Sequence, residues 1–384
     1  MTLPLNEFGC VRMSGEELRA IARELLVKYA ASGALLRDGR PDSGTFEALL
    51  LGELERRHPL GRLGGVAGNG APYEDPIVSR CRDVALELGT AHETPAHDRL
   101  VGAWFAEAMV QSRRRRDGAE RPVPLPWPGL ASLLGGGLWP GSHVLVGAPG
   151  SGKSQLAVQV AVTGARAGHA VVYVALELGG HEVAMRAAGE ISGGAWSPAL
   201  RGHGLEDFEG EALAGALGQL PLTIAEGDAH GWDRDQIHAC AKVAASGPSG
   251  VTGLVVLDFL QLAKGPERDL RERVTQTAYA CRTAARDHSV AVLAISSAPR
   301  GMYTTTGEGT PLLGSDQAPA GAYMSAGKES GDVEFSADSL LALCRHDAGG
   351  GGNASLVVAK QRHGETGRAF LQWNGGRFTA TTHE

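Results

Sequence analysis

Residues 143–177 read HVLVGAPGSGKSQLAVQVAVTGARAGHAVVYVALE. The apolar residues 143–146 predict a β-strand, and the glycine-rich turn that follows has the pattern G-x-x-x-x-G-K-S/T. An Ala- and Val-rich segment with helical spacing continues to about Gly168, and a second apolar run from Ala170 ends at Glu177. Strand, turn, helix and strand, in this order, are the context that a phosphate-binding loop requires. The stretch therefore predicts a nucleotide-binding βαβ unit.

The residue types of this loop suit a triphosphate. Glycines let backbone amides approach dense negative charge where a Cβ would obstruct, and the helix that begins near Lys153 adds the positive end of its dipole. Lys153 can reach the β- and γ-phosphate oxygens, and the Ser154 hydroxyl can ligate Mg²⁺. The predicted nucleotide-binding residues are Gly147, Ala148, Pro149, Gly150, Ser151, Gly152, Lys153, Ser154 and Gln155.

Composition excludes several classes of protein. The net charge of −7 provides no overall attraction to nucleic acid, so any such contact must be local. The five cysteines form no C-x-x-C pair, which indicates reduced thiols and neither a zinc site nor a disulfide framework. A signal peptide and an apolar run of membrane-spanning length are both missing from the sequence. We therefore expect a soluble, cytoplasmic protein that does not enter a membrane.

The chain divides into three predicted segments. Residues 1–120 show helical patterns, such as the capping-box sequence that starts at Ser14, and predict a small all-α domain. Residues 121–129 contain four prolines and predict a stiff linker. Residues 130–384 alternate strands with helices, which predicts an α/β domain whose mostly parallel sheet carries helices on both faces. The helical segment is either an adaptor or oligomerisation module or a plain helical appendage.

Four consecutive arginines, residues 113–116, end the helical segment. They predict either a patch that contacts phosphates or a solvated helix end, where cations interact favourably with the dipole.

Two carboxylates follow predicted strands and could complete a hydrolytic site. Asp258 ends the apolar run LVVL, as an aspartate that holds Mg²⁺ does in phosphate-loop proteins. Glu177 ends the strand after the loop helix and could accept a proton from an attacking water molecule. The alternative is that Asp258 serves a turn and that Glu177 caps a helix or is solvated.

Residues 125–378 resemble the ATPase domain of DnaB-type replicative helicases, within the RecA-like superfamily. The similarity rests on several segments that occur in the order of the family's motifs. These segments are GGLWPG at 136–141, ALEL at 175–178, VLDFLQL at 256–262, KESG at 328–331, AD at 337–338 and AKQRHG at 359–364.

The resemblance implies that Lys153 and Ser154 bind the phosphates and Mg²⁺ of ATP, that Glu177 polarises water and that Asp258 holds Mg²⁺. It also implies that Lys360 and Arg362 reach the γ-phosphate bound to a neighbouring subunit. A homo-oligomeric ring, with a hexamer as the expected form, and a single-stranded DNA partner follow from the same resemblance. The alternative for Lys360 and Arg362 is a solvated strand edge.

The chain departs from the family at four places. The phosphate loop, GAPGSGKS at 147–154, differs from the family's sequence but preserves its physical character. Ser297 stands where the family has glutamine after a serine, which puts the coupling of hydrolysis to movement in doubt. Residues 301–327, expected to form the loop that lines the ring, contain almost no basic residues. Residues 1–120 do not match the family's own N-terminal domain and are the expected site for a protein partner.

Two functions therefore remain open. The first is an oligomeric, ATP-hydrolysing DNA motor that resembles a DnaB-type helicase. The second is a RecA-fold ATPase that is not a helicase and acts as a loader, regulator or scaffold for a protein partner.

Overall fold

The computed structural model describes residues 15–31, 46, 49–51, 53–54, 64–66, 72–74, 101–227, 232–302, 313, 318–326, 331–346 and 352–381. The chain forms two compact units, Met1–Glu120 and Arg121–Glu384. Most of the segment expected to line a ring, 301–327, and the first three residues of the KESG motif lie outside the described residues.

The described residues of the smaller unit include two helices with full bounds, further helical residues at 46, 49–51 and 53–54, and a short sheet. Helix α1 spans Gly15–Ala31, as the capping-box sequence predicts, and buries Leu18, Ala22 and Leu25 along one face. Strands β1 (Gly64–Val66) and β2 (Pro72–Glu74) pair antiparallel, so the prediction of an all-α unit is incomplete. Short strands bounded by glycine and proline give little periodic signal in the sequence.

Helix α2 spans Val101–Arg116 and carries the four arginines in its last turn. The guanidinium of Arg115 lies 3.3 Å from Glu120, and that of Arg116 lies 2.8 Å from Asp117. Cations at a helix C-terminus that pair with nearby carboxylates are typical of a solvated helix end.

The larger unit is built on a mixed sheet of nine described strands in the order β11-β10-β9-β8-β3-β7-β6-β4-β5. Strands β3 to β8 run parallel to one another, whereas β8, β9, β10 and β11 pair antiparallel. The prediction of a mostly parallel α/β sheet is confirmed. The strands are β3 (Gly141–Gly147), β4 (Val171–Ala175), β5 (Leu222–Glu226), β6 (Leu254–Asp258), β7 (Ala291–Ser297), β8 (Ser339–Arg345), β9 (Gly352–Gln361), β10 (Gly367–Trp373) and β11 (Phe378–Ala380).

Helices cover both faces of this sheet. They are α3 (Pro128–Leu133), α4 (Lys153–Arg166), α5 (Gly180–Ser192), α6 (Trp196–Ala199), α7 (Glu211–Gly218), α8 (Gln236–Ala244), α9 (Leu270–His288) and α10 (Gly331–Ser336). None of the helices in the described part of the chain is long and apolar enough to cross a membrane.

Each face of the sheet has its own apolar core because side chains alternate along a strand. Val144 and Val146 of β3 pack into the core that contains α8 and α9, whereas Leu145 packs into the core that contains α4 and α5. Complete burial of each such side chain contributes about 1.5–3 kcal/mol. The central strands therefore hold the loop after β3 on a rigid base.

The proline-rich stretch of residues 121–129 belongs to the larger unit and packs against its sheet. The Arg121 amide donates to the Gly250 carbonyl at 2.8 Å, and Val123 pairs with Leu138. Trp127 is 1% exposed, and its indole N–H donates to a backbone carbonyl of β11 at 3.3 Å. Four prolines favour an extended backbone, but the apolar side chains between them anchor this stretch to the sheet.

The strand register defines two opposite edges of the sheet. At the carboxyl edge of the parallel strands, Gly147 of β3 pairs with Ser297 of β7. At the other edge, β8 begins at Ser339, which pairs with both His143 of β3 and Gln361 of β9. Four residues of strand separate these positions along β3, which is about 13 Å.

Candidate nucleotide-binding site

The loop between β3 and α4 has the backbone of a phosphate cradle. Gly150 and Gly152 have φ angles of 71° and 99°, in the left-handed region that favours glycine. A Cβ on Gly147 would lie 2.8 Å from Ser151 Oγ, and one on Gly152 would lie 2.9 Å from the Phe378 ring. The loop therefore requires glycine at these positions, and its amides lie at the N-terminus of α4, where anions bind.

Lys153 lies inside the curve of this loop. Its Nζ donates to the Gly147 carbonyl at 3.1 Å and to the Ala148 carbonyl at 2.9 Å. Burial lowers the pKa of Lys153, while the charges of Glu177 and Asp258 act in the opposite direction. The ammonium is therefore held where a phosphate would lie, next to two carboxylates.

Asp258 is the buried carboxylate of the site. It ends β6 beside Ala175 of β4 and is 1% exposed. The Tyr173 hydroxyl donates to Asp258 Oδ2 at 2.7 Å, whereas Oδ1 is buried without a hydrogen-bond partner among the described residues. Burial raises the pKa of Asp258, and the nearby hydroxyls of Tyr173 and Ser154 lower it.

An unpartnered, buried carboxylate oxygen near a serine hydroxyl fits a small, hard cation that takes its remaining ligands from water and phosphate. The predicted Mg²⁺ ligands Ser154 and Asp258 are thus brought together at the loop.

Glu177 lies two residues beyond the end of β4, at the same edge of the sheet. Burial, followed by the charge of Asp258, raises the pKa of Glu177, while Lys153 and Arg186 lower it. The raised pKa makes Glu177 a stronger proton acceptor than an ordinary glutamate. The charges of Lys153, Glu177 and Asp258 therefore act on one another, and Ser154 lies beside Asp258.

The model of the DnaB-like helicase C-terminal domain matches residues 130–380 of this chain. The chain belongs to the DnaB-like helicase C-terminal domain family. The replicative DNA helicase DnaB of Leifsonia xyli subsp. xyli is 28% identical over 280 residues, which cover 69% of this chain but only 57% of that protein. The replicative DNA helicase DnaC of Bacillus subtilis is 26% identical over 324 residues, covering 80% of this chain and 67% of that protein.

A solved structure of a DnaB-like replicative helicase, described with its interactions with primase, has a similar fold. Its TM-score is 0.58 at 20% identity, and the match covers 78% of this chain and 71% of that one. The RecA-like architecture predicted from the motifs is therefore confirmed, as is the resemblance to the DnaB-type ATPase domain.

In this DnaB-like domain, Lys360 and Arg362 lie at the sheet edge opposite the loop. The Lys360 ammonium donates to the Glu334 carbonyl, and burial, followed by the charge of Arg362, lowers its pKa. Arg362 is exposed, and its Nε lies 3.2 Å from Asp338 Oδ1. The strand register separates this predicted pair from the loop of its own chain.

Ser297, which replaces the family's glutamine, is the register partner of Gly147 and therefore lies beside the loop. Its neighbour Ser296 accepts a hydrogen bond from the Gln261 amide at 3.0 Å. Ser297 therefore places a short side chain at a position from which a longer side chain could extend along the loop.

An aromatic pair beside the loop was not predicted from the sequence. The ring centroids of Trp373 and Phe378 lie 4.7 Å apart, and Cζ of the Arg345 guanidinium lies 5.1 Å from the centroid of the Trp373 ring. A Cβ on Gly152 would approach both rings, at 2.9 and 3.5 Å. Aromatic and guanidinium planes next to a phosphate cradle are suited to stack on a nucleotide base. The low aromatic content of the chain, 5%, was the sequence feature that could have drawn attention to these two residues.

Buried polar side chains join this aromatic pair to the loop helix. The Gln159 amide donates to the Phe378 carbonyl at 2.9 Å and accepts from the Phe378 N–H at 2.8 Å. Gln155, predicted to bind nucleotide, donates to Glu190 at 2.9 Å, and Arg377 also pairs with Glu190 at 3.2 Å. The Gln155 side chain therefore belongs to the support behind the loop.

Proposed function

We propose that this chain is an ATP-hydrolysing, oligomeric DNA motor that resembles a DnaB-type replicative helicase. The observation that carries this proposal is the convergence of Lys153, Glu177 and Asp258 at a glycine-constrained loop, with Asp258 Oδ1 unpartnered among the residues that the structure describes. Membership of the DnaB-like family supports the same reaction, because the related proteins of Leifsonia xyli subsp. xyli and Bacillus subtilis are replicative DNA helicases.

Each residue has a separate part in hydrolysis. The loop amides and Lys153 bind the phosphates of ATP. To do so, the Lys153 ammonium gives up its hydrogen bonds to the two loop carbonyls and bonds to phosphate oxygens instead. Ser154 and Asp258 Oδ1 would hold Mg²⁺, which offsets negative charge on the phosphate oxygens when bound. Glu177 orients water and accepts its proton.

The Arg345 guanidinium and the Trp373 ring would bind the base, with Phe378 packed against Trp373. Base stacking is tolerant of base identity because every base has a π-face. The nucleotide preference of this surface is therefore expected to be weak.

Assembly follows from the two edges of the sheet. Lys360 and Arg362 lie about 13 Å along the strand direction from the loop of their own chain, so they would act on nucleotide bound to another copy. Contacts that join one edge to the opposite edge of the next copy are head-to-tail, and such contacts form a ring when the rotation between copies closes. An arginine that arrives in trans stabilises charge in the transition state. We expect a hexameric ring around single-stranded DNA.

The second candidate is a RecA-fold ATPase that loads, regulates or scaffolds a protein partner. Ser297 favours it, because a short side chain beside the loop cannot transmit the state of the phosphates as far as glutamine would. Residues 1–120 would then be the partner-binding module. A primase-like partner is one candidate, since a solved relative is described with primase.

The deciding experiment is the steady-state ATPase rate with and without single-stranded DNA, on protein whose mass is measured by light scattering. DNA stimulation in a ring-sized particle supports the motor. An ATPase rate that does not change with DNA supports the second candidate. An ATPase rate that is unchanged in Lys153→Ala would refute the phosphate-loop assignment itself.

A further inference from the structure

Tyr173 is a buried tyrosine in the middle of β4, with 0% exposure. Its ring packs in the core on the α4 side of the sheet, together with Leu254 and Val256 of β6. Its hydroxyl nonetheless makes a short bond, 2.7 Å, to Oδ2 of Asp258. A phenylalanine would fill the same space without burying a polar group, so packing alone does not account for the hydroxyl.

The strand register brings the hydroxyl to the carboxylate. Tyr173 pairs with Val256, and Ala175 pairs with Asp258. Tyr173 therefore lies two residues before the residue opposite Asp258, which is one full alternation of side chains along the strand. Residues two apart on a strand share a face of the sheet, which puts Tyr173 and Asp258 on the face covered by α4. The phenol is long enough to span this diagonal.

The bond leaves the two carboxylate oxygens of Asp258 in different states. Oδ2 is used by Tyr173, and Oδ1 is buried without a hydrogen-bond partner in the described part of the chain. A carboxylate fixed through one oxygen cannot rotate freely, so the direction of the other oxygen is set. A neutral phenol also fixes the carboxylate without adding a positive charge that would repel a cation.

We propose that Tyr173 is a positioning residue, which holds Asp258 so that Oδ1 is presented to the magnesium ion of the nucleotide complex. This inference rests on the proposed function, because it requires that Asp258 binds the metal that accompanies ATP. Hydrogen-bond partners of metal-binding carboxylates contribute about 10- to 100-fold to metal affinity. We expect the lower part of this range, since Ser154 and the phosphates would remain as ligands.

The test is Tyr173→Phe, which removes one oxygen atom and keeps the buried ring. Binding of the β,γ-imido analogue of ATP is measured by calorimetry on the full chain, first in EDTA and then at increasing Mg²⁺ concentrations. We expect unchanged affinity in EDTA and an increase of about 10-fold in the Mg²⁺ concentration that gives half of the metal-dependent tightening.

Ser339→Ala is the matched control. It also removes a buried hydroxyl, one that lies 2.7 Å from His143 Nδ1 at the opposite edge of the sheet. We expect this variant to keep the wild-type dependence on Mg²⁺, so that a shift confined to Tyr173→Phe identifies the carboxylate as its cause.

Three results would overturn the proposal: a wild-type Mg²⁺ dependence in Tyr173→Phe, an equal shift in both variants, or a loss of affinity in EDTA. The last would show that the hydroxyl supports the loop and not the metal ligand. Failure of the proposed function looks different, because the wild-type chain itself would then not bind the analogue.

Discussion

A complementation experiment tests the assignment of Lys360 and Arg362 to a neighbouring subunit. Each active site would combine the loop of one copy with the Arg362 of the next, since the register separates the two within one chain. Lys153→Ala disables the loop and leaves Arg362 intact, whereas Arg362→Ala does the reverse. Rings that contain both variants should therefore regain activity that neither variant has alone.

The expected recovery can be worked out from this geometry. In randomly mixed rings of equal composition, a site is active when its loop comes from Arg362→Ala and its arginine from Lys153→Ala, which gives about a quarter of the sites. Removal of a trans arginine reduces turnover by about 10³- to 10⁵-fold, so each variant alone should be almost inactive. The assay is steady-state ATPase on co-expressed, doubly tagged particles.

Arg116→Ala provides the matched control for mixing. Arg116 is an exposed arginine that pairs with Asp117 in the smaller unit. Mixed equally with Lys153→Ala, it should leave about half of the sites active, because only the loop is then limiting. A mixture of Lys153→Ala and Arg362→Ala that is no more active than its components would refute the trans arrangement.

Two further predictions concern single residues. Trp373→Ala removes the stacking surface, which is worth about 1–3 kcal/mol, so the Kd for ATP should rise by about 5- to 150-fold. Inorganic tripolyphosphate, which has no base, should bind as tightly as before by calorimetry, and an equal loss for both ligands would contradict the stacking role. Burial lowers the pKa of His143, so the unfolded chain binds a proton more readily than the folded one as pH falls below about 6.5, and stability decreases in that direction. His143→Gln should therefore lose less of its urea midpoint between pH 7.5 and 5.5 than the wild type, and an equal loss would exclude His143 as a contributor.

The loop and the parallel sheet could be predicted because their signals are local. Glycine spacing, Lys153 and Ser154 lie within eight residues, and Asp258 directly follows an apolar strand. The backbone geometry of a phosphate-binding loop depends on consecutive residues. In the structure, Gly150 and Gly152 adopt the left-handed conformations that this geometry needs. Period-two and helical patterns in turn predicted the alternation of strands and helices.

The aromatic pair beside the loop could not be predicted because it is assembled by pairing of distant strands. Arg345 ends β8, Trp373 ends β10, and Phe378 begins β11, so they meet only once the antiparallel strands are ordered beside β3. The buried glutamine Gln159 resembles an ordinary surface residue of a helix until its bonds to Phe378 are known. Tyr173 likewise has no sequence signal that separates it from the other apolar residues of its strand.

The two candidate functions share most of their chemistry and differ at one register position. In both proposals, hydrolysis would use the loop, the carboxylates and an arginine from a neighbouring copy, whether or not DNA is moved. Ser297 lies directly beside Gly147. The length of the side chain at position 297 therefore sets how far that side chain extends along the loop, and it leaves the backbone of the loop unchanged. Its neighbour Ser296 is already bonded to Gln261, whose Oε1 is buried without a partner among the residues described. In the proposed motor, coupling to DNA would therefore pass through a shorter connection at β7 than the family's glutamine provides.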